Sequence, residues 1–400
     1  MELYELALRR AGAPSLQEFQ RKEGLVPTGR PDAPTWSALL PWLKGYRAYR
    51  VVPGDNYSRI AARFGTTVRA IITANPNQDP LNLFVGQLLT IPLGFEVVPT
   101  DLPFTYELLL FCLEGLAARY PFLTLRPIGE TAYGRKIQQI SVGLGPRRVL
   151  YNGAHHANEW ITTPLLMKFL ESYARAISEN GRIFGFSAQK LYQRVTLHLV
   201  PMVNPDGVDL VTGGLREGEP GWAEAKALSE AYPAIPFPEG WKANLRGVDL
   251  NLNYPALWEQ ARENKFAQGY DRPGPRDYVG PRPLSEPESE AMVRLTELIK
   301  PGLTLSYHSQ GEVVYWKFLQ IEVPGAQALG ERFAAVSGYR LEDVPFASGF
   351  AGYKDWFILT RDLPGYTVEV GRGENPLPLS QFGDIYAKNL GILTLGLAEG

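Results

Sequence analysis

From residue 105 to the C-terminus, short apolar runs of strand length alternate with longer stretches of helical periodicity. Residues 148–154, 195–203, 303–308 and 366–370 read as strands. Residues 105–120, 160–177, 286–299, 327–337 and 384–397 read as helices, and 129–143 as a hairpin. Such alternation predicts an α/β domain with a mixed, mostly parallel sheet sandwiched by helices. Ligand sites in such sheets collect at the carboxyl ends of the strands. The residues that follow each strand are therefore the first place to look for chemistry.

The stretch before residue 105 has a different texture, and a chain of 400 residues is too long for one ordinary domain. Leu3-Leu6-Leu8, Leu16-Phe19-Gln20 and Trp36-Leu39-Leu40 recur at helical spacing with breaks at Gly12-Ala13-Pro14 and between Gly24 and Pro34. Each helix is too short to stand alone, so residues 1–46 read as a compact three-helix module, at its plainest a cap on the next domain. Residues 47–93 read as strand, helix, helix, strand: Ser58 and Thr66-Thr67 can start the helices, and Gly65 and Asn75-Pro76 stop them. That unit is too small for a catalytic cleft but adequate for binding. Residues 94–104 read as a linker, leaving 105–400 as the main domain.

A net charge of -2 argues against an electrostatic nucleic-acid binder or a polybasic membrane anchor. No uncharged apolar run approaches 20 residues, so no membrane insertion is expected. Charges interrupt the first residues (MELYELALRRAGA), so no secretory segment stands out and the chain as encoded is expected in the cytoplasm. The single cysteine, Cys112, excludes an internal disulfide framework and any multi-cysteine metal cluster.

Only four histidines remain as imidazole donors: His155, His156, His198 and His308. The strand ending at Ala154 runs into His155-His156-Ala157-Asn158-Glu159. On a tight turn entering a helix, the three-residue spacing of His156 and Glu159 aims an imidazole and a carboxylate at one point, a pairing that zinc accepts. A catalytic zinc needs a third protein ligand and one open position. By position that ligand is His308, at the end of another strand. His155 competes with His156, lying four residues from Glu159. His198 alternates with Leu197 and Leu199 inside a strand and reads as a packed sheet residue.

The run from Asn152 to Trp160 (NGAHHANEW) resembles the first zinc motif of the zinc carboxypeptidases of the carboxypeptidase A type. Further similar segments follow in the family's order: Gly129 to Ile137, Asn204-Pro205-Asp206-Gly207, Gly247 to Asn251, Tyr278-Val279-Gly280 with Pro283 to Glu288, Tyr307-His308-Ser309, and Thr367-Val368-Glu369. The resemblance implies one zinc ion per chain, held by His156, Glu159 and His308. It also implies Glu369 as general base and Asp249 as the acid that orients the first histidine. The oxyanion cation, an arginine in the family, corresponds to Lys242, with Arg246 close behind; either can serve, though Lys and Arg are not equivalent.

Specificity departs from the family. Where a carboxypeptidase holds the terminal carboxylate with Asn and Arg, this chain has Asn251 and Leu252. Losing a charge-assisted hydrogen bond costs about 1.5–3 kcal/mol, so a free α-carboxylate would be poorly held there. Pro345-Phe346 stand where the family's mobile tyrosine is sought, and alignment through Ala347-Ser348-Gly349 places Lys354 at the side-chain pocket, where a cation suits an anionic group. Residues 49–92 resemble a LysM domain, and 3–43, more loosely, a three-helix peptidoglycan-binding module. Both imply peptidoglycan glycan strands and stem peptides as partners. The whole layout resembles the bacterial γ-D-glutamyl-L-diamino acid endopeptidase I type. The function this implies is a zinc peptidase cleaving stem peptides at the γ-D-glutamyl–diamino acid bond. An ordinary carboxypeptidase or deacylase, and a non-catalytic wall-binding protein, are the alternatives; the export route stays open.

Overall fold

The computed structural model describes residues 3–400; the first two residues of the 1–46 module lie outside the described residues. The opening helices are Leu3–Ala11, Leu16–Lys22 and Ala33–Lys44. Ser15 and Asp32 cap the second and third by accepting the amides of Glu18 and Thr35. A two-stranded antiparallel sheet then pairs β1 (Tyr46–Arg50) with β2 (Leu88–Pro92) around helices Tyr57–Arg63 and Val68–Ala74. Thr67, within the start signal read in the sequence, caps the second; the first is capped not by Ser58, which lies inside the helix, but by Asn56 two residues earlier. This βααβ unit has its own core, including Val51, Ile60, Ile71, Leu89 and Ile91.

The three-helix module does not have a core of its own. Leu6, Ala7, Phe19, Leu39 and Leu43 belong to the same buried cluster as the large domain. Its third helix lies against helix Tyr106–Arg119 at Gly115, where any Cβ would fall 1.9 Å from the Lys44 carbonyl oxygen. Only glycine permits that approach. The helices are built as a cap on the main domain.

The 94–104 segment connects the two parts without being a solvated tether. Val97, Val98, Leu102 and Phe104 are buried. The buried Glu171 carboxylate accepts the amides of Val97 and Val98 at 2.6 and 3.2 Å. Arg10 donates to the carbonyls of Glu96 and Val97, and Arg119 to those of Gly45 and Leu93. Ionic side chains, Glu171 and Arg119 buried and Arg10 half-buried, thus satisfy backbone groups that a strap without sheet partners would leave unpaired.

The main domain is built on strands β3 (Thr124–Glu130), β4 (Lys136–Val142), β5 (Arg147–Gly153), the short pair β6 (Arg182–Ile183) and β7 (Phe186–Ser187), β8 (Val195–Val200), β9 (Leu303–His308), β10 (Val313–Tyr315), β11 (Arg340–Glu342) and β12 (Gly365–Glu369). Eight of them form one sheet in the order β11-β10-β12-β9-β5-β8-β4-β3. Its centre, β12-β9-β5-β8, is parallel, as is the β10–β11 pair, while β10–β12, β4–β8 and β3–β4 are antiparallel. Helices Thr162–Ser178, Pro287–Ile299, Tyr353–Arg361 and Phe382–Glu399 are among those that bury apolar faces against it. The mixed, mostly parallel sheet read from the alternation is what forms. Among the described residues, no helix is long and apolar enough to cross a membrane.

Candidate active site

Three neighbouring parallel strands, β5, β9 and β12, end at one edge, and each delivers a polar side chain there. Beyond β5 the chain turns sharply at Ala154, whose φ of 50° lies in the left-handed region. That turn is held where Ala154 donates to Thr162 Oγ1 at 2.9 Å and accepts from the Asn204 amide at 3.0 Å. His156 follows, and the single 3-10 turn Ala157–Glu159 brings Glu159 back beside it. His308 is the last residue of β9, and Glu369, the last of β12, is its register partner.

His156 Nδ1 lies 2.8 Å from Glu159 Oε1, His308 Nδ1 lies 2.9 Å from Glu159 Oε2, and the two Nδ1 atoms are 3.1 Å apart. All three residues are buried. Bonds of about 2.0 Å to a tetrahedral zinc imply ligand–ligand edges of about 3.3 Å, so these separations fit one shared cation. Two imidazoles meeting nitrogen to nitrogen beside a carboxylate have no other evident reason to be desolvated together. Among the described residues this trio is the one group of metal-capable side chains that converges. His155 is turned away: its Nε2 lies 2.9 Å from the Tyr254 hydroxyl. The choice left open between the adjacent histidines falls to His156. His198 contacts Gln139 through Nδ1 at 3.0 Å within the sheet, consistent with a packed residue.

The surroundings are electrostatically organised. Asp249, buried, approaches His156 Nε2 with Oδ1 at 3.0 Å, so the far side of the ring is held by a carboxylate. Burial works against ionisation of Glu159 and Asp249, yet His156 above all outweighs it and holds both carboxyls well below the usual range. Burial likewise disfavours protonation of His156, but Glu159 and Asp249 leave its pKa raised. Burial, and then the charge of Glu159, pushes Glu369 up to about 8. In the absence of metal, Glu369 thus holds a proton at neutral pH, and a cation in the site shifts it toward the carboxylate.

The centre lies between two clefts. One is walled by Asn251, Leu252, Lys265, Asp277, Lys354 and Asp355, and the other by Asn158, Arg276, Ser309 and Asn375; His156, Lys242, Tyr315 and Glu369 line both. The two candidate cations separate here. Lys242 faces both clefts, with Nζ 3.8 Å from Asp249 Oδ2. Arg246 is displaced: it is half exposed, and its Nε points to Glu286 at 3.6 Å. The tight turn after Asn244, whose Oδ1 accepts the amides of Arg246 and Val248, directs Arg246 away from the clefts.

Lys354 also differs from its expected form. It lines the pocket, but Nζ donates to Asp355 Oδ1 at 2.5 Å and to the Lys317 carbonyl at 2.8 Å, so its charge is largely neutralised. Asn251 reaches the cleft with Oδ1 engaged by the Tyr353 amide, and Leu252 is a buried apolar wall where the family has its arginine. Arg276, Asp277, Lys265 and Tyr315 were not singled out from sequence. They reach the site from a loop, from helix Trp258–Ala267 and from an antiparallel strand far along the chain, with no spacing signal. The Asn-Pro-Asp-Gly segment proves to be scaffolding: Asn204 Nδ2 donates to the carbonyls of His155 and Ala243, tying the two site loops together.

The fold and this three-ligand centre define a metallopeptidase of the carboxypeptidase type. The sequence model of the zinc carboxypeptidase family matches residues 110–389, and the chain belongs to that family; a LysM-domain model matches residues 49–92. The chain is 44% identical over 305 residues to gamma-D-glutamyl-L-diamino acid endopeptidase 1 of Lysinibacillus sphaericus, covering 76% of this chain and 75% of that protein. It is 31% identical over 145 residues to murein peptide amidase A of Escherichia coli (strain K12), across 34% of this chain and 43% of that one. The crystal structure of carboxypeptidase A from Helicoverpa armigera superposes with a TM-score of 0.55 at 16% identity, covering 89% of this chain and 98% of that chain. At that identity the likeness concerns the fold alone.

Proposed function

We propose that this zinc peptidase cleaves peptidoglycan stem peptides at the bond between a γ-linked D-glutamyl residue and the following diamino acid. The observation that carries the proposal is Leu252 in the cleft wall beside an otherwise complete metal centre. Among the described residues that line the cleft of Leu252, read as the leaving side, none is an arginine to clamp a terminal carboxylate, which suits a chain that continues past the scissile bond. The similarity to the endopeptidase of Lysinibacillus sphaericus supports the choice of bond.

In this reading His156, Glu159 and His308 would hold a zinc ion, which would supply Lewis acidity toward the scissile carbonyl and toward a water. Glu369 takes that water's proton and delivers it to the leaving amine. Lys242 offers its ammonium to the oxygen that gains charge, in a cleft where solvent screens it little. Asp249 keeps His156 in one tautomer with Nδ1 toward the metal. On the leaving side, the Lys354–Asp355 and Lys265–Asp277 pairs present both signs of charge. The LysM domain holds glycan strands, and the strap at 94–104 fixes its distance from the clefts. The site of action is then wall material, reached by export or by release on lysis.

Mass spectrometry of fragments from defined stem peptides, with zinc present and after chelation, tests the assignment. Zinc-dependent cleavage after the γ-linked glutamyl residue is expected. Faster turnover of simple C-terminal substrates of the hippuryl type would return the enzyme to the ordinary carboxypeptidases.

A further inference from the structure

With the cleft of Leu252 and Lys354 read as the leaving side, the other cleft takes the acyl side, and its wall carries a guanidinium, Arg276, that the zinc chemistry does not require. Its Nε donates to Asp277 Oδ2 at 2.7 Å, and Lys265 Nζ holds the other oxygen, Oδ1, at 2.7 Å. The Asp277 amide donates to Asp249 Oδ2 at 3.3 Å, and Asp249 is the carboxylate that holds His156. Next to Arg276, the Pro275 carbonyl accepts the amides of Lys242 and Ala243 at 2.7 and 2.9 Å. Arg276 is thereby fixed relative both to a metal ligand and to Lys242. A surface arginine with free rotamers would have no such reference.

With Nε committed to Asp277, the fork of terminal amino groups remains for a ligand. That fork matches a carboxylate in a way an ammonium does not. Glu239 and Glu374 also border this cleft, but both are exposed, where water and salt screen them. The Arg276 side chain is itself 41% exposed, but its ion pair with Asp277 fixes it against the cleft.

A residue joined through its γ-carboxyl keeps its α-carboxylate free, on the acyl side of the scissile bond. An ordinary α-linked residue has no charge at that place. We infer that Arg276 binds this free α-carboxylate through a forked contact, so that the enzyme reads the γ-linkage itself. This rests on the bond assigned under the proposed function.

Two synthetic stem peptides, identical except that the γ-linked glutamyl residue carries an α-carboxylate or an α-carboxamide, test it. For the zinc-loaded full chain, kcat/KM is expected to fall about 10- to 150-fold on amidation, the range for one charge-assisted hydrogen bond. In Arg276→Gln the ratio between the two peptides collapses to near one. In Arg276→Lys it is intermediate, because charge is kept without the fork. Zinc content is measured for each variant; if one fails to hold zinc, the wild-type ratio alone decides. A wild-type ratio within about threefold of one, or an undiminished ratio in Arg276→Gln, overturns the inference. Cleavage of neither peptide by a wild type that turns over hippuryl substrates would instead overturn the proposed bond.

Discussion

Replacing Asp249 by Asn should weaken zinc binding without removing a ligand. Asp249 is buried and accepts on both oxygens: Oδ1 faces His156 Nε2 at 3.0 Å and the Asn251 amide at 3.1 Å, while Oδ2 faces the Asp277 amide at 3.3 Å and Lys242 at 3.8 Å. An amide of the same shape has one acceptor and one donor end. Whichever way it is turned, its NH2 group confronts donors on one side. If the oxygen stays toward His156, the ring loses a charged partner and keeps a neutral one. If the amide is flipped, the ring faces a donor and is driven out of the orientation that directs Nδ1 to the metal. Loss of such a partner behind a metal-bound histidine costs about 10- to 100-fold in affinity, or about 1.4 to 2.7 kcal/mol. Competition with a chromophoric chelator, on apo protein at fixed pH, reads this directly. Circular dichroism and melting establish that the variant is folded. Zinc affinity within about threefold of wild type, in a folded variant, would refute the claim that Asp249 positions the ligand.

Other expectations follow from neighbouring parts of the structure. Glu369→Gln keeps the three ligands and loses the proton acceptor; turnover should fall by at least about 100-fold while zinc content stays at one per chain, and unchanged hydrolysis removes Glu369 from the mechanism. Glu288, buried at the start of helix Pro287–Ile299, has its carboxyl pushed up to about 8, chiefly by burial and then by Glu286 and Asp206. A raised folded-state value means full stability below the unfolded value and a loss as pH rises toward 8, so Glu288→Gln should match wild type near pH 4.5 and exceed it by about 3 kcal/mol near pH 7. Urea unfolding across that range checks the divergence, and parallel profiles contradict it. Arg119→Met leaves the carbonyls of Gly45 and Leu93 without their buried donor, which should cost about 2–4 kcal/mol. Limited proteolysis is then expected to cut within 94–104 in the variant and to leave that segment intact in the wild type.

Much of this site was legible in the sequence because its chemistry is local. His156 and Glu159 are three residues apart on one turn, so the spacing alone aimed them together. His308 ends an apolar run, and strand ends are where such sheets collect ligands; Glu369 ends one too, but its role as base came only from the family resemblance. Lys242 and Arg246 were equivalent on paper, since a separation of four residues in a loop says nothing about direction. The turn at Asn244 separated them. Lys354 read as a free cation because Asp355 beside it could have pointed anywhere; the helix start at Gly352 turned the two side chains toward each other.

By itself, the sequence determined the α/β alternation, the identity of the metal ligands, the LysM unit and the missing arginine at Leu252. The alternation, and the placing of His156, Glu159 and His308 at strand ends, are consequences of periodicity and of short-range spacing; the choice of His156 over His155, the LysM unit and the meaning of Leu252 came from resemblance to known families. Tertiary structure alone decided three things. It merged the first helices into the main core, and it turned the apparent linker into a strap held by Arg10, Arg119 and Glu171. It also placed Arg276 in the wall of the second cleft, tied to the metal centre through Asp277 and Asp249. The first depends on apolar side chains meeting across the chain, and the other two on charges finding partners remote in it. The energy of a buried charge is set by what surrounds it in space, and a sequence does not state that.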